Sequence, residues 1–432
     1  MSDNPFGFGP GTGSGEPFDM AAAFAQIGQM LSWTGGPVNW DLARDTARAA
    51  VAGSDPSPSF GDRGLVEQAL RLADLWLDDV TALPAAGGRA EAWSRAEWVE
   101  RTLPVWKSLV EPVAERVVAA MGSAMEGATA EGSEGFAQLQ ALGMPAIDPR
   151  QLSGMIRSMS ASMFGAQVGQ ALGALAAEVV GSTDVGVPLA EGGRTALLPS
   201  GIAAFGKGLE VPEDEVRVYL ALREAAHQRL FASAPWLRAR LTAEVEAYAR
   251  GIEVDAGTIE AAMGQLDPTD PAGMQEALGS GLFDPAPTPA QQEALTRLET
   301  LLALVEGWVD AVVASAAEPH LKHAGGLRET VRRRRAAGGP AEQTFASLVG
   351  LELRPRRLRD AAALWQAVTD ARGTDGRDAL WAHPDLLPSG ADLDDPQAFA
   401  RGGGEDISVE AMLATEQTAE ADEADPTDEG DA

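Results

Sequence analysis

With 432 residues, 45% of them apolar, the chain can bury the core of one large domain or two ordinary ones. It contains no cysteine, which excludes disulfides, thiolate metal sites and thiol nucleophiles. A net charge of −31 opposes binding to nucleic acid or to an anionic membrane surface.

The start, Met1-Ser2-Asp3-Asn4-Pro5, lacks a basic segment followed by an apolar run, so no signal peptide is expected. No window of about 18 uncharged apolar residues suggests a transmembrane helix, and a cytoplasmic location is favoured. Residues 1–17 are rich in Gly and Pro and are expected to be disordered. Phe18 to Trp33 reads as a helix stopped by Gly35-Gly36-Pro37, and Asp41 to Val51 as a second, entered through Asn39 and Trp40. Leu65 to Val80 places Leu65, Ala69, Leu72, Leu75 and Trp76 on one face. Ser94-Arg95-Ala96-Glu97 has capping-box spacing and opens a helix, followed by a long one near Val105 to Met125 with Pro112 as a kink point. A Gly-rich connection over 126–147 leads to a helical region from Asp148 to Val180. There Gly165, Gly169 and Gly173 are spaced for close backbone approach in the core.

Asp184 to Leu189 and Thr195 to Leu198 flank Glu191-Gly192-Gly193 and read as a loose β-hairpin. Pro212-Glu213-Asp214-Glu215 begins a helix with acids in its first turn, which suits the helix dipole; it should end near Ala232. Ser233 and Pro235 suit the cap and first turn of a helix to Arg250. A short helix follows Asp255, and Pro289 opens a long one to about Ala317. Gln343 to Leu351 and Leu358 to Ala371 are the last helices, before a turn-rich segment, Trp381 to Pro388. No repeat period indicates a solenoid. Residues 402–432 carry eleven acids and no base, and the tail from 401 is expected to be disordered. Against it stands a cluster of Arg328, Arg332 to Arg335, Arg354, Arg356, Arg357 and Arg359. These could pair with acids on helix surfaces, hold the acidic tail, or bind an anionic ligand.

The informative stretch is Leu222-Arg223-Glu224-Ala225-Ala226-His227, an H-E-x-x-H pattern with arginine at the first histidine. In an intact motif the two histidines lie one helical turn apart and bind Zn²⁺, and the glutamate acts as general base on the metal-bound water. The run Tyr219 to Phe231 with Ala234-Pro235-Trp236-Leu237, together with Leu304 to Asp310, Leu348 to Leu353 and Trp381 to Pro388, resembles the zincin-like hydrolase family of actinobacteria. Part of that family is linked by genomic context to deazaflavin-coenzyme biosynthesis. The resemblance implies a zinc-dependent metalloprotease or hydrolase over residues 18–400. It places Glu224 at the general-base position, His227 at a ligand position and Glu306 at the third-ligand position. Arg223 and Trp308 then stand where the family has histidines, the second in an E-G-H segment.

A guanidinium is always charged and has no acceptor lone pair, so at Arg223 it opposes zinc. It can instead replace the metal's charge by pairing with Glu306 or Glu224. The expected protein is therefore a member with a degenerate metal site, weak or inactive as a peptidase, with zinc implied by resemblance but not bound. The alternatives are a metal-free interaction or scaffold protein for an unknown protein or peptide, or a hydrolase using Glu224 and His227 as acid and base.

The other candidates have plainer readings. His320 and His323 suit a solvated helix end, and His383 suits a turn. Glu244, Glu246 and Glu253 suit a solvated face, and Phe205-Gly206-Lys207-Gly208 is too short for a phosphate loop. No G-x-S-x-G, Walker or dinucleotide pattern occurs. The expected fold is mainly α: one large helical zincin-like domain with a short β-hairpin before the motif helix.

Overall fold

The computed structural model describes residues 33, 35–129, 149–190, 194–251, 288–337 and 357–402. The terminal segments 1–17 and 403–432, most of the first expected helix, the helix after Asp255, Gln343 to Leu351, Glu253, Arg354 and Arg356 lie outside them. The described chain runs α1 (Trp40–Val51), α2 (Phe60–Leu77), β1 (Ala90–Ala92), α3 (Arg95–Thr129), α4 (Pro149–Glu178), β2 (Thr195–Leu197) and α5 (Pro199–Gly206). It continues through α6 (Glu213–Ser233), α7 (Trp236–Arg250), α8 (Pro289–Ala317), α9 (Ala324–Ala337), α10 (Leu358–Ala379) and α11 (Pro396–Ala400). The architecture is mainly helical, as expected.

Capping chemistry sets several boundaries. Ser59 and Asp62 close a capping box on α2, and Thr288 and Gln291 close one on α8 with Pro289 in its first turn. Ser94 and Glu97 exchange the same pair of bonds at the start of α3, at 2.8 and 3.2 Å. The two helices expected there are one, running through both Pro104 and Pro112. α2 buries Val66, Ala69, Leu70, Ala73 and Leu77, while Leu65 and Leu75 are exposed. The expected face is therefore met in part: Ala69 is buried and Leu72 and Trp76 are half-buried, while the centre of the buried stripe runs through Val66, Leu70, Ala73 and Leu77. Ser233 is the last residue of α6, and α7 starts at Trp236 without a side-chain cap.

The close approach predicted for the glycine series is present between α4 and α1. A Cβ at Gly169 would lie 2.5 Å from the Ala43 carbonyl, and one at Gly173 2.7 Å from Ala50 Cβ. Any larger residue would push the helices apart.

The hairpin is absent. β2 pairs instead with β1, in parallel, with Ala90 opposite Thr195 and Ala92 opposite Leu197. The segment after α4 makes one antiparallel bridge, Gly181 to Leu197, and then leaves the sheet. The Asp184 carboxylate takes the Val180 N–H at 3.1 Å, and Gly186 turns back at φ +83° with its N–H on Thr183 O. Local side-chain bonds thus replace a ladder.

α6 and α8 form the centre. α6 packs against α2, α5, α8, α9 and β2, and α8 against α7 and α10. By length and hydropathy α8 could cross a membrane, but its most apolar window is 89% buried inside this fold. Trp308, Trp365 and Trp381 close the far side, with Trp365 stacked on Trp381 at 5.4 Å and Trp308 edge-on to it at 6.5 Å.

Candidate functional site

Tyr219, Arg223 and His227 recur every fourth residue and so share one face of α6. That face meets Glu306 on α8. Arg223 donates from Nη2 to Glu306 Oε2 at 2.7 Å, and His227 Nε2 lies 3.1 Å from Glu306 Oε1. Sequence reasoning missed the fourth member: Arg335 of α9 donates to the same Oε1. Each oxygen of Glu306 therefore carries a guanidinium, and Glu306, Arg223 and His227 are all at most 5% exposed. Burial works against the carboxylate's charge, but Arg335, Arg223 and His227 outweigh it and hold its pKa well below the ordinary value.

The hydrogen bonds of His227 are informative. Nδ1 lies 2.9 Å from the backbone carbonyl of Arg223, an obligate acceptor, so that nitrogen carries a proton. Nε2 faces the Glu306 carboxylate, another acceptor. Both ring nitrogens thus face oxygen atoms inside the cluster.

Glu224 sits apart from this cluster. It was expected at the general-base position, with Arg223 free to pair with it or with Glu306; Arg223 chooses Glu306. Glu224 instead accepts from the Ser182 hydroxyl, the Thr183 N–H at 3.0 Å, the Thr183 hydroxyl at 2.7 Å and Gln228 Nε2 at 3.2 Å. Burial pushes its pKa up against those four bonds. The loop that supplies Ser182 and Thr183 needs glycine at two places. A Cβ at Gly181 would run into Glu224 Oε2, and one at Gly186 would lie 2.8 Å from Glu306 Oε1.

Trp308 does not belong to the site. Two residues along a helix is about 200° of rotation, so it faces away from Glu306. Its indole N–H donates to Asp378 at 2.8 Å, and Asp378 also holds Arg377 and the Thr81 hydroxyl. The residue at 308 is thus no lost ligand of this cluster, contrary to the expectation from the E-G-H pattern.

The arginine cluster divides: Arg333, Arg357 and Arg359 pair with acids at the helix surfaces, as expected, whereas Arg328, Arg332, Arg334 and Arg335 turn toward the interior. Arg328 and Arg332 both grip Asp310, one turn after Glu306, at 2.7 and 2.6 Å, and Arg334 reaches the Glu178 carbonyl and Asp184. Of the remaining candidates, His323 pairs with Glu215 at 3.0 Å and His320 stacks on Trp76 at 4.2 Å. His383 caps a turn, as expected. Glu244 is buried between Arg240 and Arg297 rather than solvated, whereas Glu246 is exposed.

A profile of the zincin-like metallopeptidase family matches residues 38–400. The chain belongs to that family. A crystal structure from Chloroflexus aurantiacus, described as a candidate hydrolase with a novel fold, shares the fold at a TM-score of 0.58 and 19% identity, covering 84% of this chain and 97% of that one. No curated protein matches the chain. The family implies zinc in related proteins, and the residues here do not fit it. Among the described residues no group of three or more His, Asp or Glu side chains is placed to hold a metal ion. The two ligand-type groups that meet, His227 and Glu306, are each bonded to other partners. Catalytic zinc requires three protein ligands and an open position.

Proposed function

We propose that this chain is a zincin-like protein whose catalytic metal is replaced by a buried arginine–carboxylate–imidazole cluster. It is inactive as a zinc peptidase and works as a metal-free interaction protein for a protein or peptide. The observation that carries this reading is the pair of guanidiniums, Arg223 and Arg335, on the two oxygens of Glu306. Together they supply two positive charges beside the carboxylate that would otherwise face the metal. The decisive experiment is elemental analysis of protein purified without a polyhistidine tag, expected to give far less than one zinc per chain. One zinc per chain, lost on His227→Ala, would overturn the proposal.

Two observations favour a second reading, a hydrolase in which Glu224 acts as acid and base without metal. Its pKa is raised, as general acids require. Gln228, which bonds Glu224, also lines a cleft of about 270 Å³ with Phe231 and Pro235. Peptidase or esterase turnover that survives exhaustive chelation and is lost in Glu224→Gln would select that reading.

A further inference from the structure

The cleft of about 270 Å³ at the join of α6 and α7 has apolar walls that include Pro188, Phe231, Pro235 and Leu237. Among the described residues that line it, only Gln228 and Arg238 carry polar side chains. Each of the two has bonding capacity left over.

Gln228 is 6% exposed. Its Nε2 meets the Arg194 carbonyl at 2.9 Å, the Ser182 hydroxyl at 3.1 Å and Glu224 at 3.2 Å. A backbone carbonyl can only accept, so Arg194 fixes which end of the amide is nitrogen. The other end, Oε1, accepts from no described residue, and it is not sealed from solvent. It is therefore an acceptor open to the cleft.

Arg238 stands on α7. Its Nη2 donates to the Pro188 and Ala190 carbonyls at 2.8 and 2.9 Å, which uses both protons of that nitrogen. The N–H groups on Nε and Nη1 remain. Neither nitrogen is sealed from solvent, and no carboxylate among the described residues pairs with them. This holds in a chain with 64 acidic against 33 basic residues, and Arg240, two residues on, is paired with Glu244 at 3.0 Å. Arg238 is half-buried and is the one charged group among the described lining residues. The cleft thus offers a cation, an amide oxygen and apolar walls. The last residue of a peptide presents the complementary set: a carboxylate, a main-chain N–H and a side chain. The volume lies just below the usual range for small-molecule pockets, which suits one residue rather than a long segment.

We propose that this cleft binds the C-terminal residue of a partner peptide, one with an apolar side chain and a free carboxylate. Arg238 takes the carboxylate and Gln228 Oε1 the main-chain N–H. The proposal deepens the reading of the chain as an interaction protein for a protein or peptide, and rests on it.

The test is a fluorescence-polarisation titration of the full chain with a fluorescein-labelled glycine–serine peptide that ends in leucine, once as the free acid and once as the C-terminal amide. The acid is expected to bind saturably and at least about tenfold more tightly than the amide, the worth of a hydrogen bond to a charged group. Arg238→Gln should bring the acid down to the level of the amide. Because Arg238 also holds two carbonyls, Ala232→Trp supplies an independent variant. Ala232 is exposed and lines the cleft, so added bulk there should block the acid while the thermal melt stays near the parent's. Acid and amide bound alike, neither bound, or acid binding untouched by both variants overturns the cleft. None of these results alters the zinc content, which tests the metal-replacement reading separately. Mass spectrometry of the bound peptide keeps the readings apart. An intact peptide supports both the cleft and the non-catalytic reading, whereas a cleaved one supports the cleft and overturns that reading.

Discussion

Arg223→Met tests whether the arginine replaces the metal in holding the fold together. The methionine keeps much of the volume and removes the charge. At an effective dielectric of about 20, a cation about 4 Å from a carboxylate contributes roughly 4 kcal/mol. Here the nitrogen-to-oxygen distance is 2.7 Å and both side chains are buried. Breaking a buried pair from one side costs about 3–5 kcal/mol. Glu306 keeps Arg335 and His227, which places the expected loss at the lower end, about 3 kcal/mol. Glu306→Gln should cost as much, because it leaves two guanidiniums facing a neutral amide. The double variant should cost less than the sum by about 2 kcal/mol, the coupling expected of residues in direct contact. Urea denaturation of the four proteins measures all three quantities. A loss below about 0.5 kcal/mol for Arg223→Met, the range of ordinary surface changes, would mean that the pair is solvated and that the metal-replacement argument is wrong.

The same geometry makes three further predictions. Arg223→His alone should recruit little zinc, because Arg335 still occupies Glu306, whereas Arg223→His with Arg335→Gln should bind it; full occupancy in the single variant would show that Arg335 is no part of the replacement. Trp308→His should leave zinc content unchanged and lower stability by about 3 kcal/mol or more, the cost of removing a fully buried tryptophan, as read by thermal melting and metal analysis together. For pH, the folded pKa of Glu224 is raised above its unfolded value of about 4.3. Its contribution is therefore fully present below that value and is lost as pH rises through the folded pKa. Urea midpoints should show Glu224→Gln gaining on the parent as pH increases over that window. Glu306 runs the opposite way: with its pKa depressed, its contribution is present above about 4.3 and is lost as pH falls through the folded value. A flat difference between Glu224→Gln and the parent would show that the carboxylate is not held at a raised pKa.

The helices were largely legible because their signals are local. The Thr288–Gln291 box with Pro289 marks the start of α8, and the small-residue series marks the α4–α1 contact. The sheet was not legible. β1 is Ala90-Glu91-Ala92, with no β-branched residue, and its partner lies a hundred residues away. Asp184, where the first expected strand begins, is committed instead to the Val180 N–H. Within the site, Arg223, His227 and Glu306 could be named from spacing and resemblance. Arg335 could not, because it is one arginine in a run of four and nothing local distinguishes the one that turns inward. Counting along α9 recovers part of that signal: Arg328, Arg332 and Arg335 recur at intervals of four and three, which puts them on one face.

That face bears on the proposal that a cation cluster stands in for the metal. A single guanidinium brings one charge and reaches one oxygen of Glu306, whereas a zinc ion brings two charges and demands several ligands. On the proposed reading the shortfall is met from α9, which delivers Arg335 to the other oxygen and Arg328 and Arg332 to Asp310 one turn further along α8. With Trp308 turned toward Asp378, no second lost ligand is needed to account for the site. Arg223 and the inward face of α9 form one device: three helices joined through carboxylates by cations that the fold supplies itself. The direction of dependence follows from burial. Glu306 is 1% exposed and cannot carry its charge without these partners. Arg328, Arg332 and Arg335 are therefore fixed by α8, whereas Arg334 is held by Glu178 and Asp184 and Arg333 pairs with Glu329 at the surface.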